Sequence, residues 1–468
     1  MGESMNPFGV ERNQAQLFLD DFLIAEQRNV TGAWHTLAKH PANPLILASG
    51  PERALYLFGS VLKEPDARGE PLFRMWYYAV GTSGSPWVAL ATSRDGLRWE
   101  KPELGLVEID GNTRNNAVFR PDGWRLIGFS GAMRDPDPSV PESERYKLAA
   151  EAESLEEKRK HYVTAVSPDG VRWRFQNSFI PTPPAYPDRS CLVWDPFENR
   201  YHLYCRAKHA PPELVRRGGP AYFGRAVSLC TSSDFRTWSE SEMVMHADAD
   251  DADGTEIYGI GAFPYEGQWV GLPQIHRSLP ELAHIDVAVA HSRDGRSWQR
   301  ERTLVLERGG VSEWDRFNQC TAVGPVRVGD ELWVYYSGRL YRHGEYKQSG
   351  LSDSGPLHVG IGLATLRLDG WRSLQAGFDG GQIVTKPLVL PAGNLSLNAK
   401  ADWGEVLVEV LAENGAPVEG MRSLPVCADG VRLPVAWPDE ASFRRLAGQP
   451  VRLRFTLRNA LLYSWKVG

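Results

Sequence analysis

The chain lacks the features that mark several common protein classes. Its 468 residues hold five cysteines, Cys191, Cys205, Cys230, Cys320 and Cys427. The number is odd, and no Cys-x-x-Cys or His-rich spacing accompanies them, which excludes a disulfide framework or a zinc-ribbon site and leaves reduced thiols in the core. No apolar run approaches the roughly 20 residues that a membrane-crossing helix needs. The opening residues, MGESMNPFGVERNQAQ, carry no apolar leader, so no membrane association and a cytoplasmic location are expected. Neither sign of charge dominates. The net charge of −6 is mild and spread out, which argues against a nucleic-acid surface and leaves neutral or weakly charged substrates open.

Tryptophan, by contrast, is plentiful at sixteen residues, and several of them sit in a repeat. The stretch Trp87 to Trp99, WVALATSRDGLRW, runs an alternating apolar strand into Ser-x-Asp-Gly, with a Trp three residues after the Gly. It returns at Ala165 to Trp173, Leu229 to Trp238 and Val287 to Trp298, with a weaker copy at Gly362 to Trp371. The turn aspartates are Asp95, Asp169, Asp234, Asp294 and Asp369, at intervals of 74, 65, 60 and 75 residues. Such intervals are too long for a helical solenoid unit and suit one four-stranded sheet with its loops. Asp-Gly between alternating strands predicts type I′ hairpins, in which both central residues take positive φ. The Trp supplies a broad apolar face for packing one sheet on the next. Five sheets in a ring make an all-β, five-bladed β-propeller. The repeated aspartates themselves follow from a local turn requirement and are not catalytic candidates.

At this length a propeller leaves room for one small further domain. Residues 1–50 are expected as a segment packing on the propeller, 51–378 as the propeller and 379–468 as a small C-terminal β-sandwich. The last ninety or so residues lose the Asp-turn rhythm and read as short strands (EVLVEVLAE, VRLRFTLR, ALLYSWKV) with turns at Asn414-Gly415 and Asp429-Gly430. Trp76 and Trp269 lie mid-strand among apolar residues and are assigned to the core.

An acidic residue stands just ahead of each clearly patterned innermost strand: Glu52, Asp188, Glu256 and Asp315. Innermost strands run along the central channel, so such acids converge on one mouth and raise each other's pKa values. Crowded carboxyls are what acid/base chemistry on a glycosidic bond requires, one kept protonated and another ionised. Strand ends nearby offer further substrate contacts: Arg145, Arg206, Tyr258 and His276, with Asp315 and Asp21 in reserve. Arg134-Asp135-Pro136 falls on a Pro-rich loop, where Asp135 is expected to touch substrate and not to act as a catalytic acid. No dedicated cation loop is visible and no cofactor is assigned, although several inward oxygens leave a divalent cation in the channel open.

The runs LFLDDFLIAE, FRMWYYA, RWEKPELGLVEIDGN, RDPDPSVPESERYK, FPYEGQWVGL and VRLRFTLRNALLYSW, with the acids ahead of the blades, resemble the family-32 and family-43 glycoside hydrolases, and more narrowly a bacterial family-32-like group. The resemblance covers nearly the whole chain. It implies a carbohydrate substrate, with Glu52 at the position of the nucleophile, Asp188 at that of the stabilising Asp and Glu256 at that of the acid/base. The family's Asn-Asp-Pro-Asn and Glu-Cys signatures are absent: Glu52 sits in Gly50-Pro51-Glu52-Arg53, and Ile257 follows Glu256. Family 43 would place a carboxylate on blade two, where this chain has only Asn115 and Asn116. The function expected is a glycosidase acting on a small oligosaccharide or terminal sugar, with furanosides among the candidates. The alternatives are a non-hydrolytic sugar-binding propeller and a lyase or transglycosylase using the same site.

Overall fold

The structure, a computed structural model, describes residues 6–181, 189–219, 222–279, 281–345 and 359–468. The protein is all-β apart from a few short helices, and no helix among the described residues is long and apolar enough to cross a membrane. The chain divides into two compact units. One comprises residues 37–326 and 333–365, the other the chain up to Thr36 together with 327–332 and 366–468. These divisions differ from the expected boundaries at 50 and 378.

In the smaller unit two sheets bury one core. The seven-stranded sheet includes Gly381–Thr385, Glu405–Ala412 and Pro450–Arg458, and the six-stranded sheet includes Arg372–Ala376, Leu395–Lys400 and Ala460–Val467. Strict alternation explains the packing. In Pro450–Arg458 the residues Val451, Leu453, Phe455 and Leu457 are buried while their neighbours face outward. Each such side chain contributes about 1.5–3 kcal/mol by burial. Of the N-terminal segment 1–50, expected to lie against the propeller, the part from Phe8 to Trp34 is hydrogen-bonded into these two sheets. Phe8–Gly9 pairs with Leu388–Val389, Gln16–Leu17 with Ala460–Val467, Ile24–Arg28 with Gly381–Thr385, and Thr31–Trp34 with Arg372–Ala376.

In the larger unit the strands follow one another as antiparallel meanders. Glu52–Tyr56 and Val61–Pro65 both pair with Pro71–Gly81, which pairs with Pro86–Ser93 and then Ala117–Phe119. Trp124–Arg134 to Arg174–Ile180 form a second sheet, and Cys191–Asp195 to Glu242–Met245 a third. A ten-stranded sheet holds the rest. Its two runs, Thr255–Tyr265 to Gln299–Leu306 and Asn318–Thr321 to Val359–Arg367, are joined by a single parallel bridge, Ile285 to Asn318. Ala38–Lys39 and Ile46–Leu47 complete the second run by pairing with Val359–Arg367. Apolar layers fill the gaps between successive sheets: Trp76, Leu90, Phe129 and Val163 in one, Tyr162, Leu203 and Trp238 in the next, Tyr204, Leu229 and Trp269 in a third. The last run packs back on the first sheet, with Tyr335 Oη donating to the Gly96 carbonyl at 2.8 Å and its ring edge-on to Trp99.

The Asp-turns are built differently from type I′ turns. Ser93 Oγ accepts the Gly96 amide at 2.8 Å, and Asp95 Oδ1 accepts the amides of Leu97 and Arg98 at 2.9 and 2.8 Å. Ser167/Asp169, Ser232/Asp234 and Ser292/Asp294 repeat the pattern. Only the residue after the Asp takes positive φ, at Gly96, Gly170, Phe235 and Gly295. The Asp is therefore a cap for the following amides, and those bonds hold the Asp95 carboxyl well below the usual carboxylate range. The fifth copy has no Ser at the corresponding position, and Asp369 instead accepts from Ser464 Oγ at 2.9 Å.

Candidate active site

Segments of the first, third and ten-stranded sheets meet around one buried side chain, Arg189. Its guanidinium donates to the carbonyls of Phe58 (2.5 Å), Ser190 (2.8 Å) and Thr321 (2.6 Å) and to Gln274 Oε1 (3.0 Å). A Cβ on Gly259 would lie 2.4 Å from Arg189 Cγ, so only glycine lets that strand approach. Next to it, the buried Glu151 accepts from Ser190 Oγ and, at 2.9 Å, from Ser130 Oγ. Burial pushes the guanidinium's pKa down, and nearby acidic groups oppose that shift. Sequence reasoning missed Arg189, because nothing local distinguishes it from a surface arginine.

Each sheet has an Asp-turn end and an opposite end, and the expected site residues separate on this basis. Glu256 pairs with His276, at the start of whose partner strand stands Ile285, while the Asp294 turn follows the far end of that strand. Glu52 likewise pairs with Gly81, eight residues from Phe73, the partner of Ser93 beside the Asp95 turn. Both acids therefore occupy the end away from the Asp-turns. Asp135 and Arg145 do not. Arg134 pairs with Tyr146 and Tyr146 with Ser167, the capping serine of the Asp169 turn. Asp135 is buried there, accepting from Tyr201 Oη with Lys147 Nζ at 3.5 Å, and Arg145 ties down its own loop through the carbonyls of Asp137 and Val140. Substrate contact at the opposite end is incompatible with those positions. Asp21 is an exposed residue of the smaller unit, 3.6 Å from Arg372 Nη1. Asp188 lies outside the described residues.

Two of the strand-opening acids share one structural device. Glu52 pairs with Lys101, accepts from Tyr77 Oη at 2.5 Å and takes the Ser49 amide at 3.2 Å. Asn116 bridges Tyr77 Oη (2.7 Å) and the Leu90 carbonyl (2.9 Å). Asp315 repeats the arrangement with Lys39 at 2.6 Å, Tyr336 Oη at 2.9 Å, and Asn43 reaching Tyr336 Oη (3.5 Å) and the Leu363 carbonyl (2.8 Å). A carboxylate consumed by a lysine and a tyrosine at equivalent places in two sheets is explained by anchoring the strand's start.

Glu256 is different in its surroundings. Its Oε1 accepts the amides of Phe223 (2.6 Å) and Arg225 (3.2 Å), while Oε2 meets the Arg225 guanidinium and His276 Nδ1 at 2.8 Å. Burial alone would raise this carboxyl, but the His276 hydrogen bond and the Arg225 charge outweigh it and bring the pKa down to about 2. Glu256 is therefore ionised at neutral pH and holds no proton to donate, contrary to the acid role expected for it. Burial lowers the pKa of His276, so the neutral ring gives its one N–H to Glu256. Its buried Nε2 is left as a lone pair with no hydrogen-bond partner among the described residues.

Around this pair stand Tyr258, whose ring lies 4.6 Å from the Arg206 guanidinium and 5.3 Å from His343, and Arg225, 5.7 Å from the same ring. Arg206 also donates to the Tyr258 carbonyl at 2.7 Å. At the end of Glu52–Tyr56, Tyr56 and Phe58 stack at 5.5 Å, with Arg339 over Tyr56 at 5.1 Å. Tyr56, Phe58, Tyr258, Asn318, Arg339 and His343 help to line a cavity of about 20 Å³, room for about one water. Of the expected residues, then, Glu256, Arg206, Tyr258 and His276 are brought together. Arg225, Arg339 and His343 join them unforeseen.

No family model and no curated protein matches the chain. Among solved structures it is similar to a β-1,2-mannobiose phosphorylase from Listeria innocua in complex with β-1,2-mannobiose (13% identity, 71% of this chain and 97% of that one, TM-score 0.45). It is also similar to an N-acetylgalactosamine deacetylase from F. plautii in complex with blood group B trisaccharide (15%, 73% and 96%, 0.44). A third is a mutant family-32 β-fructofuranosidase from Bombyx mori in complex with sucrose (12%, 92% and 94%, 0.44).

Proposed function

We propose that the larger unit is a five-bladed β-propeller, the smaller a β-sandwich, and the protein a carbohydrate-active enzyme that breaks a glycosidic bond beside Glu256. The blade count rests on reading the ten-stranded sheet as two blades, since one bridge joins them and the early strands Ala38–Lys39 and Ile46–Leu47 finish the second. The functional reading is carried by one observation: a buried, ionised Glu256 fixing a neutral His276 beside aromatic faces and three guanidinium groups. Aromatic rings take the apolar faces of a sugar, and guanidinium groups take its hydroxyls or a carboxylate.

In hydrolysis Glu256 takes the ionised part, as nucleophile, base or partner of an oxocarbenium-like transition state. The proton for the leaving oxygen then comes from a second carboxyl. Asp188 is the candidate, on its place in the sequence just before Arg189, and furanosides belong among the substrates to be tried. Turnover of an aryl-glycoside and oligosaccharide panel tests this. Glu256→Gln and Asp188→Asn are expected to fold and to lose turnover, and full activity in Glu256→Gln overturns the assignment. Sugar binding with no product in the wild type would return the non-hydrolytic reading.

The same observation favours a second reading, elimination on an acidic sugar. Here His276 Nε2 takes the proton α to the sugar carboxylate, a guanidinium neutralises that carboxylate, and the C4–O bond breaks as a C4–C5 double bond forms, the departing oxygen taking up the proton that the imidazole has gained. Ultraviolet absorbance of the unsaturated product separates the two, since hydrolysis generates none.

A further inference from the structure

A separate cluster sits at the Asp-turn end of the third sheet, in the hairpin from Cys191–Asp195 to Arg200–Lys208. Asp195, Glu198 and His202 each bring one ligating atom within 4.8 Å of the others. Asp195 and His202 are buried, at 1% and 0% exposure. Asp195 Oδ1 is used up by the amides of Phe197 (2.8 Å) and Glu198 (3.3 Å), whereas Oδ2 has no hydrogen-bond partner. His202 Nε2 has none either, and faces Oδ2 at 3.2 Å.

The tautomer of His202 sharpens this. Tyr204 Oη donates its single proton to the Gly295 carbonyl at 2.7 Å, so toward His202 Nδ1, 3.5 Å away, it can only accept. With the ring's proton on Nδ1, toward Tyr204 Oη, Nε2 presents a lone pair. Two acceptor atoms with no hydrogen-bond partner then stand 3.2 Å apart in a buried site, an arrangement that a cation between them relieves. Their 3.2 Å separation matches the ligand–ligand edge of a tetrahedral site with bonds of about 2.0–2.1 Å. The His202 ring is held flat against Trp269, with centroids 5.3 Å apart and planes within 5°, so its aim is fixed by packing. Glu198 reaches in from the turn, where Asn199 supplies the positive φ that closes the hairpin.

We propose that Asp195, Glu198 and His202 bind one zinc ion, clamping the hairpin of the third sheet. One imidazole and two carboxylates suit a borderline transition metal better than calcium or magnesium, which prefer all-oxygen shells. Arg200 Nε and Arg296 Nη2, 3.3 and 3.6 Å from Glu198 Oε2, compete with the ion. Arg296 has a closer partner in Glu242 at 2.7 Å, and exposed contacts of this kind are weak.

The test uses the full chain, stripped with chelator and titrated with Co²⁺. One equivalent should bind with the intense visible bands of tetrahedral cobalt, be displaced by Zn²⁺ and be unaffected by Ca²⁺ or Mg²⁺. Zn²⁺ should also raise the melting temperature. His202→Gln is expected to abolish the bands. Glu198→Ala, a partly exposed position that leaves the fold intact, should weaken binding by at least the roughly 10–100-fold typical of a lost supporting contact and remove the thermal shift. Cobalt binding that is absent in the wild type, or equally tight in Glu198→Ala, overturns the proposal.

Discussion

Glu256 makes a prediction that separates its charge from its shape. Replacing it with Gln keeps the side chain's size and an acceptor for the Phe223 amide but removes the charge that Arg225 and His276 hold. The carboxyl's pKa falls from an ordinary 4.5 to about 2 on folding. At about 1.36 kcal/mol per unit, ionised Glu256 contributes about 3 kcal/mol to stability at neutral pH. The group is fully buried, so solvent screening takes little from that figure. A depressed folded pKa gives stability that is complete above the unfolded value and is lost as pH falls through the folded one. By pH 3 the contribution therefore drops to about 1.4 kcal/mol. The assay is urea denaturation of wild type and Glu256→Gln across that range. The stability gap between them should shrink by about 2 kcal/mol from pH 7 to pH 3. A gap that stays constant would show that folding does not depress the carboxyl's pKa, and one that widens on acidification would show that folding raises it and would restore the acid role.

Three further outcomes follow from the packing. Arg189→Leu leaves Gln274 and three buried carbonyls without their donor, and should cost about 3–5 kcal/mol in chemical denaturation. Glu52→Gln and Lys101→Met should each destabilise by a similar amount, while the double variant costs clearly less than their sum; strict additivity in the cycle would refute the anchoring role. Gly295→Ala combines positive φ with a Cβ 2.9 Å from Tyr204 Oη and Trp269, and should lose about 2–4 kcal/mol by melting. Gly84→Ala, with positive φ but open space around it, should lose only about 1–2.

What was legible in the sequence was local. Ser93, Asp95, Gly96 and Trp99 act on one another within seven residues, so their repetition revealed the sheets even though the turn type was misread. Trp76 and Trp269 were assigned to the core from their apolar neighbours, and both are buried. The remainder depended on partners far along the chain. The lysines that occupy Glu52 and Asp315 are 49 and 276 residues away, so nothing around either acid signals that it is spent. Arg189 gathers carbonyls from 131 and 132 residues away, a role invisible in its neighbours. Asp135 looked like a substrate contact because its motif did, whereas strand register puts it at the wrong end. The early strands gave no sign of joining the late sheets, since two-residue pairings such as Gln16–Leu17 leave no periodicity to read.

The pairing of Ala38 with Thr365 has a consequence for how the protein is made. During synthesis the segment around Ala38 leaves the ribosome early and has no mate until almost the whole of that unit has followed. The neighbouring sheets can fold one by one as they emerge, but the final seam waits. Until then Ala38–Lys39 stays unpaired, and a chain clipped after Leu47 would leave the edge of Val359–Arg367 bare for good, exposed to pairing with another molecule.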